Sequence, residues 1–249
     1  MTAMFETFAE APERRRRRGR TALVAVAIVV ALLVGLDRVA VWVASRVVTG
    51  AITSAAADEG VHLDGASLTI HGFPFLTQVA GGQLNQVTAT LDAGDFGGFR
   101  VADVQIDVRG VSPRDPHLAE SAQVRLLVPF GSFESLIADQ VGANVQISGG
   151  DQPGTATIAT TLFGLNVGGV VTPLVIGPST IGLTIESFTL AGLTVRANSL
   201  PFGIGDLFTN LTIPLDFPDG LYVVTVNATE NGLSLAAEGH RIELLNLFG

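Results

Sequence analysis

Hydrophobic and polar positions divide the chain into three stretches with different periods. Residues 21–36 form an uninterrupted run of small and apolar side chains. From Val39 to Ala57, apolar residues recur at three- and four-residue steps, which indicates a helix with one apolar stripe. The stripe consists of Val41, Ala44, Val48, Ala51, Ile52 and Ala55. Beyond Gly60 apolar and polar residues alternate, as in a strand with one solvated face. The pattern therefore predicts a long N-terminal helix followed by a β-rich domain, which is the α+β class.

The alternating stretch predicts about ten strands separated by glycine, proline, asparagine and aspartate. Alternation of this kind is typical of antiparallel sheet with one face in solvent and the other covered. We therefore expect a curved, mainly antiparallel sheet packed on one or two helices. The clearest alternating runs are Val104–Val108, Val124–Val128, Val145–Ile147, Ile181–Ile185, Tyr222–Val226 and Leu233–Leu235, the last after the turn signal Glu230-Asn231-Gly232.

One segment within the β-rich stretch, Phe130 to Val141, has a helical pattern instead. Ser132 is the predicted N-cap and Gly142 the predicted end of this helix. Its apolar face consists of Phe133, Leu136 and Ile137. A long antiparallel sheet that curls around such a helix leaves a concave apolar groove, which would suit acyl chains.

The N-terminal apolar run follows a block of arginines between Arg14 and Arg20. Sixteen residues of helix span about 24 Å, slightly less than a hydrocarbon core of ~30 Å, and continuation to Ala44 completes a span. The positive-inside rule then predicts a cytoplasmic tail (1–20), a transmembrane anchor (21–44) and an extracytoplasmic domain (45–249) in the periplasmic space. A cleaved signal peptide is the competing interpretation, although no small-x-small site follows closely.

Charge and composition restrict the partners of the exported part. Charged residues are 15% of the chain, well below the usual quarter of a soluble domain. Six arginines and nineteen acidic residues follow Arg46, so we expect no nucleic-acid partner, because phosphate would be repelled. The chain contains no cysteine, which excludes disulfides and thiolate metal sites.

The sequence contains little that suggests catalysis. Its four histidines are scattered without metal-ligand spacing, and neither a nucleophile elbow nor a phosphate-binding glycine loop is present. Asp103 and Asp107 fit a solvated strand face better than an acid–base pair. We therefore expect no cofactor, no metal site and no enzymatic activity, and a hydrolase is the weakest hypothesis.

The most unusual local sequence is the segment Gly72–Gln78, which reads Gly-Phe-Pro-Phe-Leu-Thr-Gln and is expected to form a loop. Gly72 permits a sharp turn, and Pro74 stiffens the backbone between two phenylalanines. Two interpretations are open. Phe73 and Phe75 are either buried as a plug of the core or presented at a ligand mouth or membrane surface.

Together with Gly81-Gly82-Gln83-Leu84 and the N-terminal anchor, this segment resembles the LmeA-like phospholipid-binding family of actinobacterial cell envelopes. The resemblance implies a phospholipid partner and likeness to tubular lipid-binding folds. It also implies a role in carrying or presenting lipid for envelope glycolipid assembly of the lipomannan or lipoarabinomannan type, with assembly proteins as further partners. The lipid-binding residues it suggests are Phe73, Pro74, Phe75 and Leu76 at the pocket lip, Gln78 at the headgroup, and Phe133, Leu136 and Ile137.

A non-enzymatic structural or interaction module is the alternative from another class. Such a domain would dock another envelope protein and would bind no lipid. It would have a filled core and an exposed apolar patch.

Overall fold

The computed structural model describes residues 14–58, 60–96, 99–162, 165–190, 193–196, 212–215, 217 and 219–244. Residues 1–13 of the expected cytoplasmic tail lie outside this part of the chain. The described helices are α1 (Arg14–Asp58), α2 (Phe75–Gly81) and α3 (Gly131–Val141). The strands are β1 (Leu63–Asp64), β2 (Ser67–His71), β3 (Leu84–Phe96), β4 (Phe99–Val111), β5 (Leu118–Pro129), β6 (Val145–Gly149), β7 (Ala156–Leu162), β8 (Leu165–Gly177), β9 (Thr180–Leu190), β10 (Leu193–Arg196), β11 (Thr212–Pro214), β12 (Leu221–Ala228) and β13 (Gly232–Glu243).

The strands form two antiparallel sheets, which confirms the predicted α+β class with curled, mainly antiparallel sheet. The first sheet has the order β1-β3-β4-β5-β13-β12, with β2 beside β3. The second has the order β10-β9-β8-β7-β6, with β11 beside β9. The sheets curl into a half-barrel, and the Val223 N–H donates to the Pro178 carbonyl across them at 2.8 Å.

Helix α1 is one continuous helix of 45 residues, about 68 Å long at the α-helical rise. Its stretch Val26–Asp58 is long and apolar enough to cross a membrane, and little of the most apolar window is buried against the rest of the chain. A membrane anchor and a signal sequence both have this character. Gly60 follows the end of the helix with a left-handed φ of 76°, close to the predicted end.

The C-terminal half of α1 packs on the β-rich domain through part of the predicted stripe. Val41 and Ala44 pack against buried residues of the first sheet, as does Ala40. Val48 and Ala51 of the same predicted stripe are exposed. The contacts of α1 with this cluster therefore lie just after its apolar run in the sequence.

Two local predictions about helices are wrong. The segment Gly72–Gln78 is not all loop, since α2 begins at Phe75. Helix α3 begins where predicted, but Phe130 is its N-cap, and the Ser132 hydroxyl donates to the Arg100 carbonyl instead. The predicted end at Gly142 is confirmed, because this residue has a left-handed φ of 70°.

The alternating run predicted at Tyr222–Val226 implies that Tyr222, Val224 and Val226 share the covered face, which is wrong for part of β12. Tyr222 and Val224 are exposed, whereas Leu221 and Val223 are buried. A register shift between Val223 and Thr225 then returns Val226 to the buried side. A bulge adds one residue and so reverses the alternation along the strand.

Candidate functional site

The first sheet has one apolar face, here called the inner face, and its buried side chains form two clusters. The far cluster lies among the two sheets and α3, and the near cluster lies beside α1 and α2. The side chains of Ile106, Leu126 and Phe217 are half-buried and pack against both clusters. The inner face is therefore apolar without interruption from α1 to α3.

Strand register explains this continuity. Pairing places Ala89, Ile106, Val124 and Ala237 side by side across β3, β4, β5 and β13. Because side chains on one face recur every two residues, the rows on either side of this one are also inward-facing. Along β5 the face runs from Ala122 to Val128, about 20 Å at the strand rise.

Helix α3 closes the far end of the inner face. Phe133 and Ile137 are each 1% exposed, and the Phe133 ring contacts the Phe99 ring with centroids 5.4 Å apart. The Glu134 carboxylate accepts the Ile147 N–H at 2.9 Å and holds the helix on β6. Leu136 lies within α3, but its side chain is outside the described part of the structure.

Phe133 and Ile137 also line a small apolar cavity between the sheets. Its volume is about 10 Å³, close to that of one water probe. Drug-sized ligand pockets have volumes of about 300–1,000 Å³, so the far cluster is packed closed here. An acyl chain would enter this region only if α3 or the second sheet moved away from the inner face.

The near end contains the Phe-Pro-Phe segment, and its two rings have different environments. Phe73 is 55% exposed, and its ring lies 5.0 Å from the Arg38 guanidinium. Phe75 is 7% exposed and belongs to the near cluster. The two alternatives for this segment therefore apply to different rings: Phe75 is buried in the core, and Phe73 is presented at the surface.

The other expected lip residues lie around α2. Pro74 and Leu76 are exposed. Gln78 is half-buried, and its side-chain oxygen accepts the Asn85 N–H at 2.9 Å. That hydrogen bond holds α2 on the first residues of β3, so Gln78 has a structural partner in this conformation.

Asp37 is a residue of this region whose contact the sequence did not reveal. It is 2% exposed, and its Oδ1 accepts the Leu76 N–H at 2.9 Å, which joins α1 to the first turn of α2. Its Oδ2 lies 3.6 Å from the Arg38 guanidinium and has no hydrogen-bond partner. The only available signal was a single carboxylate in an otherwise apolar helical run.

The outer face of the first sheet carries a polar cluster around Asp107. The Thr88 hydroxyl donates to Asp107 Oδ1 at 2.7 Å and accepts from His71 Nε2 at 3.0 Å. The hydrogen bond from Thr88 is the main cause that lowers the pKa of the Asp107 carboxyl, and the Gln105 amide acts in the same direction. A carboxylate so held is a poor proton acceptor at neutral pH, which fits a structural role.

Among the described residues, no group of three histidine, cysteine, aspartate or glutamate side chains is arranged to hold a metal ion. The features that distinguish the site are therefore apolar: a continuous inner face, a closed far end, and a near end joined to a long apolar helix.

Comparison with known proteins agrees with this character. A search of curated proteins found no match, and a search of solved structures found none. A family model described as LmeA-like phospholipid-binding matches residues 35–238. The match begins two residues before Asp37 and so includes the docked half of α1 together with most of the β-rich domain. The chain belongs to the LmeA-like phospholipid-binding family.

Proposed function

We propose that this chain is an anchored phospholipid-binding protein that acts outside the cytoplasmic membrane. In this proposal α1 spans the membrane with the arginine block inside, and the inner face of the first sheet holds the acyl chains. The single observation that carries the proposal is the uninterrupted apolar inner face, which extends from the anchor helix to α3. Membership of a phospholipid-binding family supports the same ligand class.

Apolar burial would supply the affinity. Each methylene group removed from water contributes about 0.8 kcal/mol, so an acyl chain laid along the inner face binds without many polar contacts. The side chains of Ile106, Leu126 and Phe217 are half-buried, so the face is less covered there than at the fully buried far cluster. We therefore place the first contact of the acyl chain with the inner face at these residues.

The expected lip residues take different parts in this proposal. Phe73 and Leu76 contact lipid directly from exposed positions, while Phe75 forms the floor at the near end. Phe133 and Ile137, with Leu136 on the same helix, contact the end of the acyl chain after α3 shifts. Gln78 would reach a headgroup only by giving up its bond to Asn85.

The biological role that follows is to carry or present phospholipid for the assembly of envelope glycolipids of the lipomannan or lipoarabinomannan type. Proteins of that assembly would be its partners. No step of this role requires the chain to be an enzyme, because transfer of a bound lipid breaks no covalent bond.

A structural or interaction module that binds no lipid is the second candidate. The observation that favours it is the cavity of about 10 Å³, since a filled core needs no ligand. The exposed side chains of Phe73 and Leu76 would then contact a protein.

Native mass spectrometry of the full chain released from detergent micelles separates these candidates. We expect one phospholipid retained per chain, and its loss in Leu126→Trp, which adds a ring to the inner face. Leu127→Trp is the matched control, because neighbouring residues of a strand point to opposite faces. Absence of lipid from the unmodified chain, or equal retention by both variants, would contradict the proposal.

A further inference from the structure

Helix α2 and Phe73, which precedes its N-cap Pro74, carry exposed apolar side chains beside α1. Phe73, Leu76 and Val79 are 55%, 49% and 37% exposed, although each is large and apolar. We call these three residues the α2 patch. Single exposed apolar residues are common on proteins. Leu76 and Val79 are three residues apart on α2 and so lie on one side of it, and Phe73 precedes its first turn. Three exposed apolar side chains so close together indicate an interaction site.

The α2 patch is held at one height on α1 by two contacts. The Leu76 N–H donates to the buried Asp37 Oδ1 at 2.9 Å. The Arg38 guanidinium lies 5.0 Å from the centre of the Phe73 ring. Since Asp37 and Arg38 directly follow the apolar run of α1, the patch is level with the end of that run.

Helix geometry gives the depth of the α2 patch relative to a bilayer. Asp37 is seventeen residues beyond Arg20, the last arginine of the basic block, which is about 26 Å of helix. The hydrocarbon core of a bilayer is about 30 Å thick. With Arg20 at the inner interface, Asp37 and the α2 patch therefore lie at the outer edge of the hydrocarbon.

The residues around the patch suit that position. Trp42 lies about 8 Å further along α1, at headgroup level, where tryptophan is favoured. The Arg46 guanidinium stacks on its ring at 4.2 Å. At the opposite end of α2 from Arg38, the Arg114 guanidinium donates to the Ala80 carbonyl at 3.4 Å. Guanidinium groups beside an apolar surface can pair with lipid phosphates while their stems lie along the apolar layer.

From this geometry we propose that the α2 patch inserts into the outer leaflet of the same bilayer that α1 crosses. This inference rests on the proposed membrane anchor. The apolar side chains of α1 between Val26 and Leu36 are also exposed, and the contact between Arg38 and Phe73 sets the α2 patch beside the end of that stretch, so one lipid environment would cover both. The near end of the inner face, at Phe75, then lies directly beside outer-leaflet lipid. The lipid source is thereby the anchoring membrane itself.

Site-directed spin labelling of the full chain in liposomes tests this placement. The chain has no cysteine, so Leu76→Cys and Val79→Cys each give one labelled position. Val224→Cys is the matched control, since Val224 is also apolar and 42% exposed but lies on the edge strand β12, away from α2. Fluorescence quenching of Trp42, the single tryptophan, by lipids with spin labels near the headgroup reports on the anchor independently.

We expect labels at positions 76 and 79 to be accessible to oxygen and protected from a water-soluble nickel complex. The label at position 224 should show the reverse. If Trp42 is quenched but labels 76 and 79 match label 224, the inference is overturned and the anchor stands. If Trp42 is not quenched, the anchor and the inference both fail. Labels protected from both reagents would mean that protein covers the patch, which also overturns the inference.

Discussion

The two phenylalanines on either side of Pro74 give the sharpest prediction about stability. Phe75 is 7% exposed within the near cluster, and truncating such a ring to alanine typically costs about 3–5 kcal/mol. Phe73 is 55% exposed and loses chiefly its contact with Arg38, which at an exposed site is worth about 0.5–1 kcal/mol. The same substitution two residues apart should therefore have very different effects.

Each kcal/mol lowers the midpoint of thermal unfolding by about 2–4 °C for a chain of 150–250 residues. We expect Phe75→Ala to lower the midpoint by about 6–20 °C, and Phe73→Ala by no more than about 4 °C. Circular dichroism of the β-sheet signal, recorded on both variants in the same detergent, measures this difference. Equal shifts, or a larger shift for Phe73→Ala, would refute the assignment of one ring to the core and the other to the surface.

Three further changes test individual contacts. Asp37→Ala should speed amide hydrogen exchange at Leu76, because the Leu76 N–H loses the acceptor that joins α1 to α2. Asp37→Asn keeps an acceptor oxygen and should have less effect. Equal exchange in the unmodified chain and both variants would exclude the contact. Gly232→Ala places a methyl group against the backbone of β5 and should lower the free energy of unfolding by about 1–3 kcal/mol, measured by denaturant titration. Because the pKa of Asp107 is lowered in the folded chain, this carboxylate stabilises the fold above a pH of about 3.9 and the effect is lost as the pH falls through its folded pKa. Thr88→Val should raise the pKa of Asp107 towards its ordinary value in a carboxyl NMR titration, and an unchanged pKa would show that the hydroxyl is not its main partner.

The period of the apolar residues predicted the architecture well, because each helix or strand with one buried face shows that face in its own sequence. The long N-terminal helix, the antiparallel strands and the helix after Phe130 all follow from it. The period was misleading at Tyr222 and Val224, where a bulge in β12 shifts the alternation. A bulge depends on pairing with β13, so a single strand's sequence does not contain it.

The candidate site was predictable only in part, for a related reason. The Phe-Pro-Phe segment was recognisable, but the separation of Phe73 from Phe75 depends on where α1 packs. The role of Asp37 is a contact between residues 39 positions apart. Likewise, Ile106 and Leu126 connect the near and far clusters because of how several strands pair, and the sequence of one strand does not show that pairing.

Whether the far end is an open groove or a filled core could not be predicted from the sequence either. Phe133 and Ile137 fit a groove wall and a filled core equally well by pattern alone. Their 1% exposure and the cavity of about 10 Å³ show a closed arrangement in this conformation. Lipid binding at that end therefore requires movement, which makes the inner face beside Ile106 and Leu126 the more informative place to look for lipid.

Photo-crosslinking tests the central claim most directly, with a phospholipid that carries a diazirine in its acyl chain. The full chain is reconstituted in liposomes containing this lipid, irradiated, digested and mapped by mass spectrometry. Lipid bound along the inner face predicts adducts on the β4 and β5 peptides at Ile106 and Leu126, in addition to those on the anchor. Adducts confined to α1 and the α2 patch would contradict the account, because the acyl chain would then contact the protein only from the bilayer.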